Sequence, residues 1–187
     1  MIKSIFFVFF AAVLSANVYA HEAFKLVSSE KKSIKLTELN ELEKTATAAN
    51  ASGANLTFNS KEIRLVVITG PEDDMLSYRI RGLRNPNLVV PPGATLRILF
   101  ANVDLDMRHD VRFGHVTGEF AIGPEIVSTA GSNKLLGHVG RETVDAEEIV
   151  LQATANGSYK YFCSVRGHAK GGMWGNIFVG VKPGANV

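Results

Sequence analysis

Ser158-Tyr-Lys-Tyr-Phe162-Cys163-Ser-Val-Arg-Gly-His168-Ala-Lys-Gly-Gly-Met173-Trp174 is the stretch on which the reading of this chain turns. Aromatic residues before Cys163 predict a strand over 158–162. A second β-rich run follows over 174–181. Between them, Gly167 and the Gly171-Gly172 pair permit tight turns. The only cysteine, a histidine and a methionine therefore sit at even intervals on one strand-loop-strand unit.

Further strands surround this unit. Ile63–Thr69 is a β-rich apolar run, and residues 75–81 alternate through Leu76, Tyr78 and Ile80. Leu88–Val90 ends at the turn Pro91-Pro92-Gly93, which starts a strand over 95–102. Residues 111–116 and 147–153 add two more. Residues 118–139 are irregular and glycine-rich, and predict a long loop. Many short strands divided by turns mean an all-β sandwich or barrel. One helix precedes them: Thr37 is placed to cap it, Leu39, Leu42 and Ala46 share a face, and its end is expected near Asn50.

The first twenty residues carry Lys3, an apolar run over 5–14 and Val18-Tyr-Ala20, the pattern of a cleaved signal peptide. The apolar run is too short to favour a membrane span. Cleavage after Ala20 leaves 167 residues from His21, the size of a single domain. This reading gives an N-terminal extension over about 21–55 and a sandwich over 56–187. Export implies an oxidising compartment, where an unpaired thiol is a liability unless buried or occupied. The chain carries a formal charge of +2, +1 without the leader, and lacks a Lys/Arg run, which argues against nucleic-acid binding.

Metal ligation would occupy the thiol. A soft thiolate, two imidazoles and a weak axial thioether make a blue-copper electron-transfer site. Cys163, His168 and Met173 supply three of these, and the second imidazole must come from elsewhere. Of the remaining histidines, His109 follows a strong strand and shares parity with the apolar Val111 and Phe113. His115 keeps that parity, but Gly114 interrupts the alternation. His138 lies in a glycine-rich loop and reads as a surface residue.

With these motifs the chain resembles the rusticyanins among the cupredoxins. The resemblance rests on the Cys-x4-His-x4-Met spacing, Asn85-Pro86-Asn-Leu88, Pro92-Gly-Ala-Thr95, Phe100-Ala-Asn102, Tyr159-Lys-Tyr-Phe-Cys163 and Gly172-Met-Trp-Gly175. By position, His109, Cys163, His168 and Met173 match that family's copper ligands. The resemblance implies a Greek-key β-sandwich and a soluble periplasmic electron carrier binding one type 1 copper. One departure concerns Asp110, where rusticyanins have Ser and many cupredoxins Asn. Contacts of this kind around the ligands tune a metal, and a carboxylate here would favour Cu(II) and lower the potential.

His168 is the expected electron port, emerging through a patch of Val165, Gly167, Ala169 and Trp174. Arg166 and Lys170 flank it, with Lys160 near in sequence, to steer the acidic face of a redox partner such as a c-type cytochrome. Small carriers of this kind work as monomers. A multicopper enzyme would need a second copper centre wired through a histidine beside Cys163, but Phe162 and Ser164 stand there. The alternative is a periplasmic copper chaperone or resistance protein, for which His21 could chelate copper through its amine and imidazole.

Overall fold

In the computed structural model, residues 22–120, 125–133, 136–137, 140 and 142–184 are described. The predicted leader, His21 and His138 lie outside them. Alternation sets up the sandwich. In β4 (Glu62–Thr69) and β8 (Thr95–Asn102), Ile63, Leu65, Val67, Leu96, Ile98 and Phe100 all point into one core and are fully buried. The two strands pair in parallel from Glu62↔Thr95 to Thr69↔Asn102.

Around them are β1 (Phe24–Lys35), β5 (Tyr78–Ile80), β6 (Leu83–Arg84) and β11 (Thr143–Ala153), giving a sheet of order β1-β11-β8-β4-β5-β6. The second sheet contains β2 (Asn50–Ser52), β3 (Asn55–Thr57), β7 (Asn87–Val90), β9 (Arg112–Thr117), β10 (Glu125–Gly131), β12 (Gly157–Phe162) and β13 (Trp174–Val179). Its order is β10-β9-β12-β13-β7-β3-β2. The fold is the expected all-β sandwich with one short helix, α1 (Leu36–Lys44).

The outer face of the first sheet needs its own cover. Val66, Ala101, Val144 and Ala146 form a second apolar cluster with Ile34 and with Leu39 of α1. The helix follows β1 without a break, with Lys35 at the N-cap, making no side-chain cap bond, rather than Thr37. Strand pairing holds Lys35 opposite Thr143, and the Leu36 N–H donates to the Glu142 carbonyl, which fixes where the chain can turn helical. The helix also stops short of Asn50. The Thr45 hydroxyl donates to the Leu42 carbonyl, and Thr47 exchanges hydrogen bonds with Arg64. The chain is thereby drawn onto the edge of β4.

Five strands lie where the sequence predicted none: the short β2, β3 and β6, and the longer β1 and β10. β1 is an edge strand whose middle, Ser28-Ser-Glu-Lys-Lys32, is polar, so no apolar alternation marks it. Pairing with β11 along nearly its whole length makes it a strand. Such a Lys-bearing edge also resists pairing with another chain. β10 occupies part of the predicted 118–139 loop and pairs with β9. The predicted 75–81 strand contracts to Tyr78–Ile80, because Asp74 closes a turn on the Pro71 carbonyl.

Candidate metal centre

β12 ends at Phe162, which holds Cys163 at the rim of the second sheet. The Cys163 N–H donates to the Met173 carbonyl, and the Met173 N–H to the His168 carbonyl. Further turn bonds run from Gly171 to Gly167 and from Gly172 to Ala169. Gly167 at φ +88° and Gly172 at φ +102° occupy conformations that side chains rarely adopt. At Gly171 a Cβ would stand 2.5 Å from Cδ1 of Leu76, so the missing side chain lets Leu76 pack against the loop. His109 arrives from the other side. It precedes β9, and its backbone exchanges two hydrogen bonds with Leu136.

The ligand loop and His109 converge on one point. Nδ1 of His109 and Nδ1 of His168 are 3.2 Å apart, and Sγ of Cys163 lies 3.5 Å from His168 Nδ1 and 4.0 Å from His109 Nδ1. A circle through three atoms so spaced has a radius of about 2.1 Å. Bonds from nitrogen or thiolate sulfur to a divalent first-row ion such as zinc are about 2.0–2.3 Å. The donor set therefore fits an ion at its centre without rearrangement. Its chemistry, two imidazoles and one thiolate, is that of a trigonal copper site with a weak axial ligand. Met173 is fully buried and packs in the same core cluster as Cys163.

Burial shapes the protonation of these donors. It pushes the Cys163 thiol up to about 12, with Asp110 contributing bonds and charge in opposing senses. A metal must therefore displace the thiol proton as it binds. Burial, followed by the neighbouring His109, holds His168 below the ordinary imidazole range, which keeps it neutral and able to ligate.

Several supporting residues are not apparent in the sequence. Nε2 of His109 lies 2.8 Å from Oδ2 of Asp104, and both side chains are buried. Burial alone would raise the Asp104 carboxyl. The hydrogen bonds from His109 and from the N–H groups of Asp106 and Met107 hold it below the ordinary carboxylate range. Asn85, at φ +42°, donates to the Gly172 carbonyl and accepts the Tyr78 N–H, so it clamps the ligand loop to β5. Its position beside Pro86 was the only signal the sequence offered. Asp110, singled out beside the first histidine, is buried and bonded through both carboxylate oxygens to Ser164. The Tyr78 hydroxyl donates to the Asp110 carbonyl at 2.6 Å.

The remaining candidates separate. His115 is exposed on β9 and faces the Tyr159 ring, outside the donor cluster. Val165 is half-buried, Arg166, Gly167 and Lys170 are exposed, and Ala169 is buried. Trp174 packs against Phe120 with the rings tilted by 40°, and Lys160 sits 3.9 Å above the indole ring. That contact draws Lys160 onto Trp174.

Residues 51–183 match the Sulfocyanin (SoxE) domain family. The chain is 28% identical over 130 residues to a rusticyanin of Acidithiobacillus ferrooxidans, covering 69% of this chain and 83% of that protein. It is 27% identical over 135 residues to a rusticyanin of Acidithiobacillus ferridurans, covering 68% of each. Among solved structures, reduced rusticyanin superposes with a TM-score of 0.71 at 24% identity, covering 80% of this chain and 99% of the other. A rusticyanin from Thiobacillus ferrooxidans gives 0.71 at 23% identity, covering 81% and 98%.

Proposed function

The chain belongs to the sulfocyanin (SoxE) domain family and is a rusticyanin-like cupredoxin, and on that premise we propose that it is an electron carrier using one type 1 copper held by His109, Cys163, His168 and Met173. The observation that carries this reading is the convergence of the two Nδ1 atoms and Sγ on a circle of metal-bonding radius. Copper, when bound, supplies the one-electron Cu(II)/Cu(I) couple. The residues supply a geometry fixed by backbone bonds on both sides, so little has to reorganise when the charge changes.

Burial also separates this reading from copper handling. Cys163, His109 and Met173 are all but inaccessible. Release of the metal would require the 163–173 loop to open, which suits a carrier that keeps its copper through many cycles. Phe162 and Ser164 flank Cys163, the positions from which a histidine would wire a second copper centre, and this favours a single-copper carrier over a multicopper enzyme. Residues 21–187 are read as one domain, since β1 to β3 supply strands to both sheets. His168, 9% exposed, is the port, flanked by Arg166 and Lys170 for an acidic redox partner such as a c-type cytochrome. The carrier works as a monomer in the periplasm after leader cleavage. Among the described residues no helix is long and apolar enough to cross a membrane.

Expression with copper tests the reading. The loaded protein is expected to be intensely blue, to lose its colour in Cys163→Ser and to keep it in His115→Ala. A colourless copper-loaded protein would overturn it.

A further inference from the structure

We propose that Asp104 is a positioning residue for the metal centre: it fixes His109 with its proton on Nε2 and Nδ1 turned to the cysteine, and its charge favours the oxidised metal. The proposal rests on the copper reading above and extends it to a residue beyond the ligands. His109 has two ring nitrogens in different surroundings. Nδ1 faces Sγ of Cys163 and Nδ1 of His168, while Nε2 faces the Asp104 carboxylate at 2.8 Å. A carboxylate only accepts, so the nitrogen facing it must be the donor. The opposite nitrogen is then left with a free lone pair, aimed at the cluster.

Asp104 itself is immobilised. Oδ1 accepts the N–H groups of Asp106 and Met107, both at 2.8 Å, which leaves Oδ2 to His109. The Asp104 N–H donates to Oδ1 of Asn102, whose amide donates in turn to the carbonyls of Met107 and Leu136. Leu136 then bonds the His109 backbone in both directions, closing the network on the same residue whose ring Asp104 orients. Space for the carboxylate is also made specifically. A Cβ on Gly70 would stand 2.4 Å from Cβ of Asp104, so the strand end at Gly70 is bare where Asp104 approaches.

The chemical consequence follows from charge. A buried carboxylate hydrogen-bonded to the far nitrogen of a ligating imidazole makes that imidazole a stronger donor, and losing such a partner typically costs 10–100-fold in metal affinity. The added electron density favours the more highly charged oxidation state. Asp104 and Asp110 therefore act on the same histidine segment from opposite ends, one through the ring and one through the cysteine loop.

Asp104→Asn keeps the shape and removes the charge. With copper bound, it is expected to weaken the preference for Cu(II) over Cu(I) at least tenfold, raising the potential by about 59 mV per tenfold, while the blue colour persists. Asp106→Asn, which removes an exposed charge two residues away, should move the potential less. An unchanged potential in Asp104→Asn, or an equal shift in Asp106→Asn, would overturn the proposal. If Asp104→Asn does not fold, nitrogen NMR of the copper-free wild-type protein decides: His109 protonated on Nε2 supports the proposal, and protonation on Nδ1 overturns it. Failure of the copper reading has a separate signature, a wild-type protein that does not turn blue.

Discussion

Asp110 and Ser164 are joined twice, the carboxylate accepting the Ser164 N–H at 2.6 Å through Oδ1 and the Ser164 hydroxyl through Oδ2. Each residue directly follows a proposed ligand, His109 or Cys163, so the pair ties the two chain segments that meet at the donor cluster. It also leaves a carboxylate beside the cysteine segment, where its charge would oppose reduction of a bound copper.

Asp110→Ser should therefore do two things. The potential of the copper protein is expected to rise, because a charge that stabilises Cu(II) is gone; voltammetry reads this directly, and no rise would remove the electrostatic argument. The copper-free variant should lose about 0.5–1.5 kcal/mol in urea denaturation, since a single short hydroxyl replaces the two carboxylate oxygens that engage Ser164.

Asn85 offers a test of loop clamping. Its side chain bonds the Gly172 carbonyl and the Tyr78 N–H, and its backbone is left-handed. Asn85→Gly removes the bonds but tolerates the backbone, whereas Asn85→Ala loses both. Both variants should be destabilised in thermal melts, with Ala worse by about 1 kcal/mol, the cost of a left-handed side-chain residue. Equal melting points would show that the backbone conformation carries no cost.

Gly175 lies beneath a ring that cannot retreat. A Cβ there would be 2.3 Å from Cζ and Oη of Tyr161, and that hydroxyl is fixed at 2.7 Å to the Pro86 carbonyl. Gly175→Ala should cost about 1–3 kcal/mol by overpacking, seen as a lower urea midpoint with an unchanged slope.

Acid stability should report on Asp74. The Arg84 guanidinium, with help from Arg79, holds its carboxyl below the usual 3.8 despite some burial. A lowered folded pKa means stability that is present above the ordinary carboxylate range and is lost as pH falls through the folded value. Asp74→Asn should thus cost about 0.5–1 kcal/mol at neutral pH, a half-exposed pair being partly screened. That difference should fade as pH falls below the ordinary carboxylate range, and shrink in high salt. A pH-independent difference would assign the effect to hydrogen bonding alone.

What the sequence by itself determined was whatever local chemistry encodes. β-Rich composition and turn residues placed β4, β8 and β12 nearly to the residue, because strand propensity and turn chemistry are local properties of the chain. The spacing from Cys163 to Met173 marked the ligand loop, and the parity of His109 with Val111 and Phe113 pointed it inward, as its full burial bears out. What only the tertiary structure decided depends on partners far apart in the chain. β1 is a strand because β11 lies beside it, more than a hundred residues away. Asn85 became a clamp because Gly172 folds over it, and Asp104 meets His109 only because Asn102, Leu136 and a bare Gly70 shape the turn between them. A metal's donors announce themselves by type and spacing. The residues that orient those donors are ordinary polar side chains, and hydrogen-bond distance, which only the folded chain sets, is what distinguishes them.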